Sequence, residues 1–173
     1  MNETIKTLMT RRSVRSYSSK QVPEDILNEI LEAGKYAPSG KGRQPSIMVV
    51  VRDCETVADL SMLNARVMGT DTDPFYGANT VVIVFSDKTV NTYKEDGTLV
   101  MGNLMNAAAS LGVDSCWIHR AKEVFESEEG KKLMKKWGID ENYEGIGNCI
   151  LGYSDKPLPE AKPRKENYVI FAH

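Results

Sequence analysis

Two uninterrupted runs, Ile47-Met48-Val49-Val50-Val51 and Val81-Val82-Ile83-Val84-Phe85, constrain this 173-residue chain most. Both favour β structure, and both fall far short of the roughly 20 residues a membrane-crossing helix needs. They read as buried strands, while the segments around them repeat apolar residues at helical spacing. With no Gly/Ser linker and no internal repeat, the alternation predicts a single α/β or α+β domain over residues 1–173.

The helical segments follow from the same spacing. Thr4 to Met9 begins a first helix. Pro23 stands where a helix can start, and Ile26, Leu27, Ile30 and Leu31 recur until Pro38 ends the run. Val57, Leu60, Asn64 and Val67 mark another helix, with polar Asn64 on an otherwise apolar stripe. Between Thr98 and Gly112, an alanine- and methionine-rich helix carries Val100, Leu104, Ala107, Ala108 and Leu111, small enough in part for close packing at the centre. Ser115 to Ile118 and Gly147 to Tyr153 read as further strands, separated by one amphipathic helix bearing Phe125, Leu133, Met134 and Trp137. The sheet then has at least four strands. Pro157, Pro159 and Pro163 keep the following backbone extended as far as Tyr168-Val169-Ile170-Phe171, an apolar stretch that needs a covering surface.

Charge narrows the choice of partners. Lys and Arg number 22 against 24 Asp and Glu, a net charge of −2, so no global field draws nucleic acid or an anionic membrane. Any anion site must be local. No apolar signal core follows Met1, which predicts a cytoplasmic protein. Cys54, Cys116 and Cys149 are odd in number and widely spaced, and they read as small buried hydrophobes in a reducing compartment. The two histidines, His119 and His173, form no metal-ligand motif, so no metal site is predicted.

Three segments carry candidate chemistry. Arg11-Arg12-Ser13-Val14-Arg15-Ser16 gathers guanidinium forks that match phosphate oxygens; a solvated basic turn is the plainer alternative. Lys162-Pro163-Arg164-Lys165 is a second basic cluster near the other end of the chain. Ala37 to Pro45 holds Ser39, Gly40, Gly42 and Gln44, a loop whose glycines let backbone approach a ligand. It lacks the P-loop spacing, and the chain lacks both the dinucleotide-binding glycine fingerprint and the G-x-S-x-G elbow. What is left is a site of cations, hydrogen bonds and small residues, suited to a bound group that supplies the chemistry.

Four segments in order resemble the FMN-dependent nitroreductase family: Arg11-Arg12-Ser13-Val14-Arg15; Ala37-Pro38-Ser39 through Gln44-Pro45; Gly102 to Ala108 with Leu111-Gly112-Val113; and Ile150-Leu151-Gly152-Tyr153 followed by Lys162-Pro163-Arg164. The resemblance implies a three-layer α+β fold, with a central mixed, mostly antiparallel sheet between helices. It also implies a homodimer that exchanges its C-terminal segments and holds FMN at the subunit interface. By this likeness Arg11, Arg12, Ser13 and Arg15, joined by Lys162 and Arg164, grip the phosphate and ribityl chain. Pro38, Ser39 and Gly40 line the flavin from the partner subunit, Gln44 also binds the cofactor, and Asn64 bonds the pyrimidine edge. The backbone at Ile118 and His119 faces flavin N5, with Leu151 and Gly152 close by, and no side chain acts as a catalytic acid. Gly42 and Ser46 depart from the family loop, which often has Asn and Trp there.

The implied activity is reduction of nitroaromatic, quinone or related small acceptors, with NADH or NADPH as transient co-substrate in a ping-pong scheme. The competing readings are a specialised dehalogenase-like or flavin-fragmenting enzyme, and a flavin-binding redox sensor without turnover.

Overall fold

A computed structural model describes residues 1–172. The helices are α1 (Glu3–Thr10), α2 (Glu24–Lys35), α3 (Cys54–Met68), α4 (Tyr93–Ser110), α5 (Ala121–Glu126) and α6 (Glu128–Lys136). The strands are β1 (Ser46–Val51), β2 (Thr80–Asp87), β3 (Asp114–Ile118) and β4 (Tyr143–Gly152), in the sheet order β1-β2-β4-β3. Every neighbouring pair in that sheet is antiparallel. The parallel element expected from the resemblance reduces to one isolated bridge, Ser13 to Ser115.

β2 lies between β1 and β4 with Val81 to Phe85 fully buried, and its side chains alternate between two cores as the pleat requires. Val81, Ile83 and Phe85 join Ile118 and Ile150 beneath α3, α5 and α6; Val82 and Val84 join Cys149 and Leu151 beneath α2 and α4. Each such side chain contributes roughly 1.5–3 kcal/mol on burial. The result is three layers, helix on sheet on helix. α4 is central as expected, meeting all four strands together with α1 and α2. Close approach is visible at Gly34, where a Cβ would stand 2.9 Å from Met48 Sδ and 3.0 Å from Leu104 Cδ2.

Some expectations change. The single helix expected after β3 is two, because Ser127 leaves helical geometry (φ −70°, ψ 160°) and caps α6 by accepting from Gly130 N. β1 is less buried than its composition suggests: it is an edge strand, with Val50 37% exposed. Val67 lies on the exposed side of α3, just ahead of the left-handed Gly69 that ends that helix. Cys116 and Cys149 are buried, but Cys54 is exposed in the first turn of α3. α1 buries no residue at all, and Ile5, Leu8 and Met9 are exposed along it. From residue 153 to residue 172 the chain forms no helix or strand, and Tyr168, Val169, Ile170 and Phe171 all stand in the open. Among the described residues no helix is long and apolar enough to cross a membrane.

Candidate functional site

Arg11 ends α1, donating its backbone N–H to Thr7 O, and the next residues run along the outer edge of β3. Val14 N donates to Ser115 O at 3.0 Å, and the Val14 side chain is buried. That anchorage fixes the neighbouring arginines. Arg12 Nη1 donates to Met9 O (2.9 Å) and Arg11 O (2.8 Å), and Arg15 Nη1 lies 3.5 Å from Ser13 O.

Three buried side-chain atoms here have no hydrogen-bond partner among the described residues: Arg11 Nη1, Arg12 Nε and Ser115 Oγ. Leaving such a group unpaired costs about 1–3 kcal/mol, and more when it is charged. A ligand with several acceptor oxygens would answer all three, and an anionic one would suit the guanidinium groups best. Ser115 carries no sequence signal for this role; only the bridge to Ser13 brings it there.

Groups beneath the arginines are neutral. Burial pushes the Cys149 thiol up to about 12 and raises Cys116 as well, while Arg11 and Arg15 pull Cys116 the other way. Neither is poised as a thiolate nucleophile. Tyr17, also raised chiefly by burial, donates its hydroxyl to Val14 O at 3.0 Å. Its ring packs on Gly152, where a Cβ would stand 2.9 Å from Tyr17 Cδ1. Leu151 pairs with Ser115, and Gly152 with Asp114, so both lie beside this strip.

The β3–α5 turn comes next along the same edge. Asn64 on α3 is fully buried; its Nδ2 donates to His119 O at 2.8 Å, and its Oδ1 accepts from Arg120 Nε at 3.0 Å. Asn148 Nδ2 donates to Ile118 O at 3.3 Å. Both carbonyls are thus held from behind, and the His119 side chain is exposed. Asn64, expected to meet a ligand directly, has protein groups at both ends of its amide.

The loop of Pro38, Ser39, Gly40 and Gln44 is elsewhere. Asp96, buried near the start of α4, accepts from Gly40 N (2.9 Å) and Thr92 Oγ1 (2.8 Å), and Ser39 Oγ accepts from Gln44 N (3.0 Å). Lys41, Gly42 and Gln44 all take positive φ, at 57°, 65° and 48°. A cavity of about 200 Å³ opens beside Pro38, Ser39 and Gln44. Pro45 O accepts from Asp87 N at one end of β2, whereas Ser115 pairs with Leu151, which lies opposite Thr80 at the other end. These levels are roughly 23 Å apart along the strands at about 3.3 Å per residue, and the two segments flank opposite edges of the sheet. Within one chain they do not meet. Lys162 and Arg164 are exposed on the tail, where Arg164 Nη2 donates to Lys162 O (2.9 Å), and no hydrogen bond joins them to the arginine segment among the described residues.

Fold and site define a class: α+β proteins on a short antiparallel sheet, with an arginine-rich segment along one sheet edge that holds buried donors without a protein partner. Residues 8–74 match the pattern of the Nitroreductase family, and over 172 residues the chain is 31% identical to an Archaeoglobus fulgidus protein described provisionally as an NADH dehydrogenase/NAD(P)H nitroreductase, covering 95% of this chain and 94% of that one. The chain belongs to the nitroreductase family. Among solved structures it is similar to a nitroreductase with bound FMN from Bacteroides fragilis, at 30% identity and a TM-score of 0.91 over 100% of both chains. It is also similar to a nitroreductase with bound FMN from Desulfitobacterium hafniense, at 25% identity and a TM-score of 0.88 over 99% of this chain and 100% of that one.

Proposed function

We propose that this single-domain protein is an FMN-dependent oxidoreductase that uses NADH or NADPH to reduce small acceptors such as nitroaromatics and quinones, working in the cytoplasm as a homodimer. The observation that carries the reading is the trio of orphaned buried atoms, Arg11 Nη1, Arg12 Nε and Ser115 Oγ, which fits a phosphate end. When bound, FMN supplies reversible two-electron chemistry at N5. Arg11, Arg12, Ser13, Arg15 and Ser115 bind its phosphate and ribityl chain, and Lys162 and Arg164 close over the same anion. The backbone at Ile118 and His119, fixed from behind by Asn148 and Asn64, presents polar groups to the ring.

The homodimer rests on separation. Pro38, Ser39 and Gly40 lie at the far corner of the sheet from the arginines, so one pocket is complete only when the partner subunit's loop covers it and excludes water. The exposed apolar tail and the open edge of β1 support an exchange of C-terminal segments, which also hides a sheet edge. In the ping-pong scheme the hydride of NADH or NADPH would pass to bound FMN with one proton from solvent, NAD(P)⁺ would leave, and a quinone entering the same space would depart with the two electrons and two protons.

Heating purified protein and chromatographing the released cofactor tests the first step: FMN in about one equivalent per chain is expected, and FAD or no flavin refutes it. Anaerobic addition of NADH or NADPH should then bleach the bound flavin, and a quinone should restore its colour. A yellow protein that neither nicotinamide bleaches is a sensor and not this enzyme.

A further inference from the structure

We propose that Asn64 and Arg120 form a latch that holds the backbone facing the flavin, with Arg120 as the positioning residue; this rests on the FMN reading above. β3 ends at Ile118 and α5 begins at Ala121, so the whole turn is His119 and Arg120. Arg120 makes that turn in the left-handed region, at φ 73° and ψ 13°. An arginine there is disfavoured by roughly five- to thirtyfold against right-handed backbone, whereas glycine adopts it freely. Something must hold it, and among the described residues one side chain, Asn64, hydrogen-bonds Arg120.

Asn64 grips both residues of the turn, donating to His119 O and accepting from Arg120 Nε. It has no exposed surface with which to touch a ligand. Its amide is used up in shaping the turn, so its influence on the flavin passes through the turn. The Arg120 guanidinium is partly exposed, and among the described residues its only hydrogen bond is the one from Nε, which leaves both terminal amino groups without a protein partner. A cation held at this turn would favour the reduced, more negative form of a flavin bound here. The latch thus couples a buried amide on α3 to the electron affinity of the bound group.

A double-mutant cycle separates this from ordinary structural support. The four proteins are wild type, Asn64→Ala, Arg120→Gly and the double variant, read by the unfolding equilibrium of apoprotein in denaturant and by the midpoint potential of bound FMN. In apoprotein, Asn64→Ala should cost at least about fivefold more in the unfolding constant with Arg120 present than with glycine there, because glycine needs no latch. In holoprotein, Arg120→Gly should reduce the preference for reduced over oxidised FMN about tenfold, as removal of a nearby fixed charge implies. Asn64→Ala should do the same only when Arg120 is present. Equal effects of Asn64→Ala in both backgrounds, or an unmoved potential in Arg120→Gly, would overturn the proposal. Should Asn64→Ala not fold, Asn64→Ser in both backgrounds makes the same comparison. If the wild type takes up no flavin, the functional reading fails, while the apoprotein cycle still decides whether the latch exists.

Discussion

Replacing Arg11 with methionine should make the empty protein more stable and the loaded protein harder to form. Methionine keeps the length of the side chain and removes a guanidinium whose Nη1 is buried without a partner. Relief of an unpaired buried donor is worth about 1–3 kcal/mol, and because Arg11 is only partly buried the lower end applies. A gain of about 1 kcal/mol raises the melting temperature of a domain this size by about 2–4 °C. FMN loses a charge-assisted contact of about 1.5–3 kcal/mol, which weakens its dissociation constant about 10- to 150-fold. The assay is thermal unfolding of apoprotein by circular dichroism in phosphate-free buffer, beside a fluorescence titration with FMN. The two effects have opposite signs, which is the signature of a residue kept for a ligand and not for the fold. A variant whose apoprotein melts lower while FMN affinity stays the same would refute the reasoning.

Loss of the Asp96 carboxylate should free the Pro38–Gln44 loop: Asp96→Ala is expected to speed tryptic cleavage after Lys41 and Arg43 several-fold, and unchanged cleavage rates would show that the bond to Gly40 N does not order it. Alkaline stability should report Cys149. Its proton is retained in the folded chain up to about pH 12 but lost near the ordinary 9.0 on unfolding, so stability is full below pH 9 and falls by about 1.4 kcal/mol per unit above it. Cys116, raised as well, shares that fall and Tyr17 adds to it from about pH 10, so Cys149→Ala should reduce the slope without abolishing it, and an unchanged slope above pH 9 removes Cys149 as a cause. Deleting residues 166–173 should lower both the dimer fraction and FMN retention in light scattering and spectroscopy; a flavin-loaded monomer at micromolar concentration would overturn the exchanged-tail assembly.

The strands and most helices were legible because their causes are local. Val81 to Phe85 has no polar residue to interrupt it, and Leu27 and Ile30 announce the buried face of α2. Burial depth was less so: nothing within Ile47 to Val51 says that a neighbour is missing on one side. Ser127 looks like any polar residue in an amphipathic run until its hydroxyl is seen capping α6. The arginine segment could be read as a candidate clamp from its residue types, but Ser115 joins it only through a bridge spanning most of the chain. Asn64 stood out as a polar residue on an apolar stripe, while its partners, 55 and 56 positions away, did not. Asp96 was invisible for the same reason: its contact with Gly40 N spans 56 positions.

The central place of β2 also sets a schedule for synthesis. β1 and the first half of the chain are already made when Asp87 is added, so one edge of β2 can be satisfied at once. Its other edge waits for β4, which begins 56 residues later at Tyr143. At about 5–20 residues per second, the most apolar strand in the molecule spends roughly 3–11 seconds with a row of backbone donors and acceptors unmatched. α2 and α3 are already made by then, and α4 is completed at Ser110 within that interval, so prompt docking of α4 beside α2 on β2 finishes the cover of one face and protects the nascent chain from sticking to its neighbours.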